Sequence, residues 1–242
     1  MMVSLVNAGY KASEVGALPD ERLHQLLDTA FSSTNSQTEN YFIYQLLAAG
    51  MSFDTAKFER IFERCVLRYR LKNTYRYVLL PMLERIGLLW KCDKATPAQE
   101  HFVSNLIVRK LLAAIDHLPC ATAGAEKWLL FLPENEFHEL GLLLAYYLIR
   151  SAGHEVLYLG ANTPWAALPA VTRDAKPDRI LFFSLDSELP KAGTVYLRDM
   201  EVNFTGKKIY VAGLIGNTKK NYSADRIIFL NSIEDLTKVL AA

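Results

Sequence analysis

Apolar residues in the first half of the chain recur at three- and four-residue steps, which is the spacing of an amphipathic helix. Between residues 58 and 69 the apolar positions are Phe58, Ile61, Phe62, Cys65, Val66 and Tyr69. A second wide apolar face runs from Tyr75 to Trp90, and further helical patterns occupy "DERLHQLLDTAF" and "NYFIYQLLAAG". Residues 1–118 are therefore predicted to form a bundle of four or five helices joined by short loops.

Individual residues predict where these helices begin, bend or end. Gly50 follows the last periodic residue of its segment and is expected to be a helix C-cap. Pro81 lies within an apolar helical face, and we expect a kink there because proline has no N–H to donate to the preceding turn. In "TPAQ", Thr96 can cap a new helix and Gln99 can complete a capping box.

The pattern changes after "PCATAGAE", residues 119–126, a stretch of small residues that we interpret as a linker. Short apolar runs then alternate with helical stretches, and these runs are "WLLFL", "EVLYLG", "RILFFS", "KIYVAG" and "RIIFL". Runs this apolar are typical of strands covered on both faces, and their alternation with helices favours a parallel sheet. Residues 127–242 are therefore predicted to form a flavodoxin-like (Rossmann-like), doubly wound α/β domain with a five-stranded parallel sheet.

The candidate chemistry begins after the first predicted strand, where Glu136, His138 and Gly141 form the pattern Glu-x-His-x-x-Gly. Ligands of such sheets bind beyond the carboxyl ends of the strands, so this loop lies at the expected binding end. A neutral imidazole there could ligate a metal, and a carboxylate accepting the other ring N–H would fix its tautomer. Glycine at position 141 would let a bulky group approach the backbone.

Small residues follow the next three predicted strands in the same way. Gly160 follows the second strand, Ser184 the third and Gly213 the fourth, which would leave a slot beside the sheet. Small residues at strand ends are ordinary in this architecture, and a single loop histidine is more often a hydrogen-bonded polar group than a metal ligand. The pattern alone therefore leaves both interpretations open.

Composition limits the remaining possibilities. The net charge of +1, with both signs interspersed, gives no basis for nucleic-acid binding by this chain alone. Three widely spaced cysteines indicate a reducing environment without a disulfide framework or zinc site. The N-terminus has no secretory signal pattern, and no apolar run approaches the ~18 residues of a membrane span. We therefore expect a cytoplasmic protein without membrane contact.

The Glu-x-His-x-x-Gly pattern, followed by Ser184 and by Ala212-Gly213, resembles the motif of cobalamin-binding domains. In that family Asp is more usual than Glu, and Gly-Gly more usual than Ala-Gly. The resemblance implies that His138 is the lower axial ligand of cobalt in place of the cofactor's own base, with Glu136 and Gly141 beside it. Ser184, Gly213 and the other small residues at the strand ends would line the pocket for the displaced nucleotide tail.

The helical half contains "LWKCDKATPAQEHF", in which Trp90 is followed by nine residues and then by Glu100-His101. This spacing resembles light-sensing cobalamin regulators of the CarH/LitR type, which are built on a MerR-like scaffold. The resemblance implies that the bundle caps the upper face of adenosylcobalamin, with Trp90 against the adenosyl group and Glu100 and His101 beside it. From the residues alone, Trp90 could equally be a core residue and His101 an exposed one.

The resemblance implies a photosensory region of a transcriptional regulator rather than an enzyme. Light would cleave the cobalt–carbon bond, change the oligomeric state from a dark dimer or tetramer, and thereby change DNA binding. DNA would be bound only through a helix-turn-helix domain, which we do not find before the bundle in this chain. Lys91 stands where some family members have a histidine that takes the upper cobalt position after light, which puts that photoproduct in doubt.

Three other functions fit parts of the pattern. A corrinoid shuttle protein of a methyltransferase system also combines a helical cap with this sheet, although the spacing from Trp90 to Glu100-His101 argues against it. A heme-binding sensor on the same scaffold could use His138 as an iron ligand. A partner-binding module without a cofactor is the remaining alternative.

Overall fold

The computed structural model describes residues 35–184, 193–213, 222 and 225–241. The chain divides into two compact units, Met1–Leu106 and Ile107–Ala242. The helix expected at "DERLHQLLDTAF" lies outside the described residues. Among the residues that the structure describes, no helix is both long enough and apolar enough to cross a membrane.

The first part of the described chain is helical. Its helices are α1 (Asn35–Met51), α2 (Thr55–Thr74), α3 (Leu80–Lys91) and α4 (Pro97–Asp116). The apolar spacing noted in the sequence places Phe58, Ile61, Phe62 and Cys65 in the buried face of α2. The limit between the two compact units falls within α4, and residues 119–126 contain neither helix nor strand. The domain limits at 118 and 127 stay a prediction.

Gly50 is not the C-cap that its position indicated. Helix α1 continues to Met51, and Phe53 takes the left-handed conformation with φ 55°. The Asp54 N–H donates to the carbonyl of Ala49 at 2.9 Å, which closes the helix end. Gly50 has a packing role instead, because a Cβ at this position would clash with the side chain of Val103.

Pro81 is accommodated by a change of helix type. A π-helical segment, Tyr75–Leu79, joins α2 to α3, and the N–H of Leu80 donates to the carbonyl of Tyr75. Pro81 thus directly follows the π-helical segment, as the second residue of α3. The local disturbance expected from this proline is present, but it occurs before Pro81.

The capping box expected in "TPAQ" is formed. The backbone N–H of Gln99 donates to the Thr96 hydroxyl at 3.4 Å, and the Thr96 N–H donates to Gln99 Oε1 at 2.8 Å. The Gln99 side chain also donates to the carbonyl of Met51 at 2.8 Å. This tie fixes the start of α4 against the end of α1.

The second part of the chain contains a five-stranded sheet with the order β2-β1-β3-β4-β5, in which all neighbours are parallel. The strands are β1 (Lys127–Pro133), β2 (Glu155–Thr163), β3 (Arg179–Phe183), β4 (Lys208–Ala212) and β5 (Ile227–Leu230). The accompanying helices are α5 (Leu140–Ser151), α6 (Leu168–Ala175), α7 (Gly193–Asn203) and α8 (Ile233–Leu240). The predicted flavodoxin-like, doubly wound architecture is confirmed.

The central strands are apolar because both of their faces are covered. In β1 every residue from Trp128 to Leu132 is fully buried. Its neighbour β3 contributes Ile180, Leu181 and Phe182, which are buried to the same degree. Burial of this apolar area from water provides most of the driving force for folding this layer. The buried central strands therefore form a rigid scaffold that positions the loops at their carboxyl ends.

Candidate functional site

The loop from Glu134 to Glu139 connects the carboxyl end of β1 to the start of α5. Its two motif side chains differ sharply in exposure, since Glu136 is 6% exposed and the side chain of His138 is 69% exposed. The carboxylate is thus directed into the protein, whereas the imidazole is presented to the outside.

One oxygen of Glu136 holds this loop together. Glu136 Oε1 accepts hydrogen bonds from the backbone N–H groups of Phe137 at 2.9 Å and His138 at 3.0 Å. The same oxygen lies 2.6 Å from Nδ1 of the His138 ring. A carboxylate accepts but does not donate, so Nδ1 carries a proton, and in the neutral ring Nε2 then has the lone pair. This is the tautomer in which a histidine can ligate a metal through Nε2.

Ser184, which follows β3, lies on the other side of this carboxylate. It is 2% exposed, and its hydroxyl donates to Glu136 Oε2 over 3.5 Å. Its own N–H donates to the carbonyl of Ala212 at the end of β4, at 3.0 Å. The structure therefore brings three of the expected site residues, Glu136, His138 and Ser184, together at the carboxyl ends of adjacent strands.

Gly213 makes this arrangement sterically feasible. Its φ of 105° lies in the left-handed region, which disfavours residues with a side chain. A Cβ at this position would lie 2.8 Å from the carbonyl carbon of Ser184 and closer still to the carbonyl oxygen. Glycine is therefore required here by the close approach of two backbones.

Gly141 does not have the open surroundings that the sequence interpretation assigned to it. It lies in the first turn of α5, and a Cβ there would lie 2.6 Å from the ring of Phe183. The bulky group that approaches this glycine is a side chain of the same chain. Gly160 does not follow the second strand as predicted, because it lies within β2 (Glu155–Thr163). Its φ is 77°, and a Cβ there would lie 3.2 Å from Glu139 Oε1.

Sequence reasoning missed four residues whose hydrogen bonds connect β2 to residues 134–139, the His138 loop. They are Asn135, Glu139, Tyr158 and Asn162. The Asn162 side chain accepts from the N–H of Asn135 at 2.9 Å, and the Tyr158 hydroxyl donates to Glu139 Oε1 at 2.7 Å. Both asparagines have positive φ, and an asparagine near the end of a predicted strand could have been noticed because Asn tolerates this conformation. The tyrosine carried no local signal.

Burial, and then the hydrogen bond to the Glu139 carboxylate, raise the pKa of Tyr158 far above its ordinary range. The hydroxyl therefore keeps its proton and remains a donor to Glu139 at physiological pH.

The other candidate residues lie at one end of the helical bundle, where α3 ends and α4 begins. Trp90 is 52% exposed, so it is not a core residue. Glu100 lies in the first turn of α4, where one oxygen accepts from the Ser104 hydroxyl and the other lies 3.1 Å from Nδ1 of His101. The side chain of His101 is 74% exposed.

Comparison with known proteins concerns the class of cofactor. Residues 42–115, which form most of the helical part, match the model of a family described as the B12 binding domain. Together with the Rossmann-like sheet, this match supports cobalamin binding by the chain.

Two curated relatives extend the likeness to regulators. The chain is 33% identical over 121 residues to the HTH-type transcriptional repressor CarA of Myxococcus xanthus. It is 29% identical over 133 residues to the HTH-type transcriptional repressor CarH of the same organism. These alignments include 50% and 55% of this chain but only 40% and 44% of the relatives, so the chain spans less than half of their length. The resemblance to CarH-type cobalamin regulators is confirmed over about half of the chain.

The structure also resembles that of the monomethylamine corrinoid protein of Methanosarcina barkeri. The TM-score is 0.65, and the match covers 83% of this chain and 97% of that protein. Sequence identity is 13%, so this likeness concerns the fold alone.

Proposed function

We propose that this chain is the adenosylcobalamin-binding photosensory region of a transcriptional regulator and that it has no catalytic activity of its own. The observation that carries the proposal is the geometry at Glu136 and His138. A buried carboxylate holds Nδ1 of an exposed imidazole at 2.6 Å, which leaves Nε2 available to a ligand outside the loop. The B12 family match and the likeness to CarA and CarH identify cobalamin as the fitting ligand class.

His138 would be the lower axial ligand of the cobalt ion. The macrocycle would supply most of the ligands of the cobalt ion, so one well-oriented imidazole would be the contribution required of the protein. The contact with Glu136 makes the imidazole a stronger donor, because the developing positive charge on the ring is stabilised by the carboxylate. The hydrogen bonds to the Phe137 and His138 N–H groups keep that carboxylate in place before any ligand binds.

Ser184 and Gly213 would border the nucleotide tail of the cofactor, and Gly160 would lie beside them. Supporting this assignment, Ser184 follows β3 and Gly213 follows β4 at the edge of the sheet where the loop of His138 begins, and Gly160 lies near the same end of β2. Ser184 would also restrain the second oxygen of Glu136 through its hydroxyl.

Trp90, Glu100 and His101 would contact the adenosyl group on the upper side of the cofactor. Half of the Trp90 surface is exposed, which leaves an indole face for packing against an aromatic ligand. The Glu100 carboxylate is oriented by Ser104 and retains lone pairs that could accept from ligand hydroxyl groups.

Bound adenosylcobalamin would supply a cobalt–carbon bond that visible light breaks. The protein would hold the ligand and read the loss of the adenosyl group through the contacts of Trp90. That change would shift the chain between two assembly states, and DNA binding would follow through a helix-turn-helix domain on the same polypeptide or assembly.

The test is reconstitution with adenosylcobalamin in the dark, followed by gel filtration before and after green light. We expect a bound chromophore, a larger assembly in the dark and a smaller one after illumination. Equal elution volumes with the cofactor still bound would reject the light switch. Retention of methylcobalamin in preference to adenosylcobalamin would favour a corrinoid shuttle protein, and retention of heme alone would favour a heme sensor.

A further inference from the structure

We propose that Asn162 and Tyr158, two residues of strand β2 outside the Glu-x-His-x-x-Gly motif, are positioning residues for the cobalt ligand His138. They fasten the His138 loop at both of its ends. This inference rests on the proposed function, because it deepens the role of the same loop.

Asn162 fastens the beginning of the loop by two hydrogen bonds. Its side-chain Oδ1 accepts from the N–H of Asn135 at 2.9 Å, and its backbone N–H donates to the carbonyl of Glu136 at 3.0 Å. Asn135 and Asn162 both have positive φ, 68° and 53°. The two chain segments therefore meet through paired left-handed residues, a conformation that asparagine tolerates better than most residues.

Irregular pairing of the two strands makes this contact geometrically possible. Strand β2 contains extra residues opposite β1, with register shifts between Leu130 and Phe131 and again between Phe131 and Pro133. Such bulges bend a strand and redirect the side chains at its end. Asn162 lies within the second of these shifts, between the pairs Phe131–Gly160 and Pro133–Thr163, and so comes alongside the loop.

Tyr158 fastens the end of the loop. Its hydroxyl donates to Glu139 Oε1 at 2.7 Å, and its ring stacks on that of Tyr146 with a centroid distance of 5.0 Å. The Glu139 N–H donates to the carbonyl of Phe137 at 2.9 Å, which links this anchor to the middle of the loop. Gly160 leaves the room in which the Glu139 carboxylate lies.

The consequence for His138 follows from its place between these anchors. Glu136, fixed by Asn162, and Glu139, fixed by Tyr158, lie two residues before and one residue after His138 in the chain. With both fixed, few conformations of the loop remain, so the ligand loses little entropy on binding the metal. Loss of either anchor should weaken the His138–cobalt bond even though neither residue touches the cofactor.

The experiment uses the variants Asn162→Gly and Tyr158→Phe. Glycine at position 162 removes the Oδ1 acceptor but keeps the positive φ without strain. Phenylalanine at position 158 keeps the ring stack but removes the donor. Matched controls are Lys176→Gly, another left-handed position with φ 48°, and Tyr147→Phe, which removes a tyrosine hydroxyl from α5 instead of β2.

Two properties are measured. In cofactor-free protein, hydrogen exchange of the Phe137 and His138 amides should become faster in both variants. After reconstitution, both should bind adenosylcobalamin about 10-fold more weakly and show a smaller fraction of the histidine-bound spectrum. Asn162→Asp, which keeps an acceptor oxygen, should recover most of the affinity. Both controls should match the parent protein in exchange and in affinity.

The inference is overturned if both variants match the parent protein in affinity and spectrum, even when exchange of the loop amides changes. Failure of the proposed function gives a different result, in which the parent protein itself shows no spectrum that depends on His138. In that case the exchange data alone decide whether Asn162 and Tyr158 hold the loop.

Discussion

The Glu–His pair of the sheet part and that of the helical bundle, both among the described residues, have different surroundings. In the sheet part, Glu136 is buried and lies 2.6 Å from Nδ1 of His138. In the bundle, Glu100 is 33% exposed in its side chain and lies 3.1 Å from Nδ1 of His101. Neighbouring positions on a helix do not face each other, so the second pair depends on flexible side chains in water. We infer that the first pair is built before a ligand arrives, whereas the second can adapt to one.

This comparison shows that the side chains of a short motif are fixed in one arrangement only when they also hydrogen-bond to the backbone of the motif. Glu136 is bonded to two backbone N–H groups and to Ser184 besides the histidine. Glu100 is held by one hydroxyl on its own helix and by one exposed ring. Substitutions in the sheet part should therefore have large effects, and those in the bundle part smaller ones.

The largest effect is expected from Gly213→Ala. A methyl group would meet the Ser184 carbonyl in a backbone conformation that already disfavours alanine, so the free energy of unfolding should fall by about 3 kcal/mol or more. Gly206→Ala is the control, since Gly206 also has positive φ, 75°, but open space around it, and should cost only about 1 kcal/mol. Urea unfolding of both variants measures the difference. Equal losses would contradict a close approach at Gly213.

Next in size is the effect of His138→Ala on cobalamin affinity. Loss of the only imidazole of the loop should weaken binding about 100-fold, or about 2.7 kcal/mol, because the loop has no second imidazole to replace it. Absorbance titration with adenosylcobalamin in the dark measures this loss. His101→Ala, the same change in the bundle pair, should keep the histidine-bound spectrum. Equal retention of cofactor by His138→Ala and the parent would remove the basis for the site.

A smaller effect is expected when only the charge of each pair is removed. Glu136→Gln keeps an acceptor for the loop amides but no longer stabilises the ligated ring, so cobalamin affinity should fall about 10-fold. Glu100→Gln should leave methylcobalamin affinity unchanged and weaken only the adenosyl form. Isothermal titration with both cobalamins separates these outcomes. A uniform loss in both variants would show that the two pairs do not differ in the proposed way.

In the bundle, Gly87→Ala should stabilise the protein slightly. Gly87 lies inside α3, and a Cβ there would meet nothing within 4 Å. Alanine should raise the free energy of unfolding by about 0.5 to 1 kcal/mol, because it restricts the unfolded chain and favours helix. Thermal unfolding measures the gain. A loss of stability would mean that this surface of the bundle is covered in solution.

The smallest effect that we predict is a difference in labelling rate between the buried and the exposed cysteine thiols. Burial raises the pKa of the Cys65 thiol to about 12, whereas Cys92 and Cys120 are exposed. At pH 8 we expect two thiols to react quickly and Cys65 to react only on unfolding. Because the folded-state pKa of Cys65 is raised, its contribution to stability is present at neutral pH and should be lost as the pH rises towards 12. Rapid labelling of all three would show that the core of α2 opens readily.

The sequence predicted well what depends on local pattern. The strand order followed from five apolar runs alternating with helices, and the capping box of Thr96 and Gln99 from two side chains three residues apart. The role of Gly141 could not be predicted, because the ring that covers it belongs to Phe183 on strand β3, which is distant in sequence. The ties from Asn162 and Tyr158 were missed for the same reason, since they depend on two bulges whose position has no clear sequence signal.

The π-helical segment is a second feature that the sequence predicted only in part. Pro81 indicated a disturbance of the helix, but not which residues would absorb it. In the structure, the disturbance of the helix lies at Tyr75–Leu79, where Val78 and Leu79 are still buried in the core. Packing of the whole face, rather than the proline alone, decides this outcome.

The most direct test of the central claim is electron paramagnetic resonance of the protein loaded with cobalamin and reduced to Co(II). With natural nitrogen, a single axial imidazole splits each cobalt line into three. In protein labelled with ¹⁵N-histidine, ligation by His138 predicts a splitting into two lines, and His138→Ala should abolish it. If the labelled protein keeps the three-line pattern, the cofactor retains its own base and His138 is not the ligand.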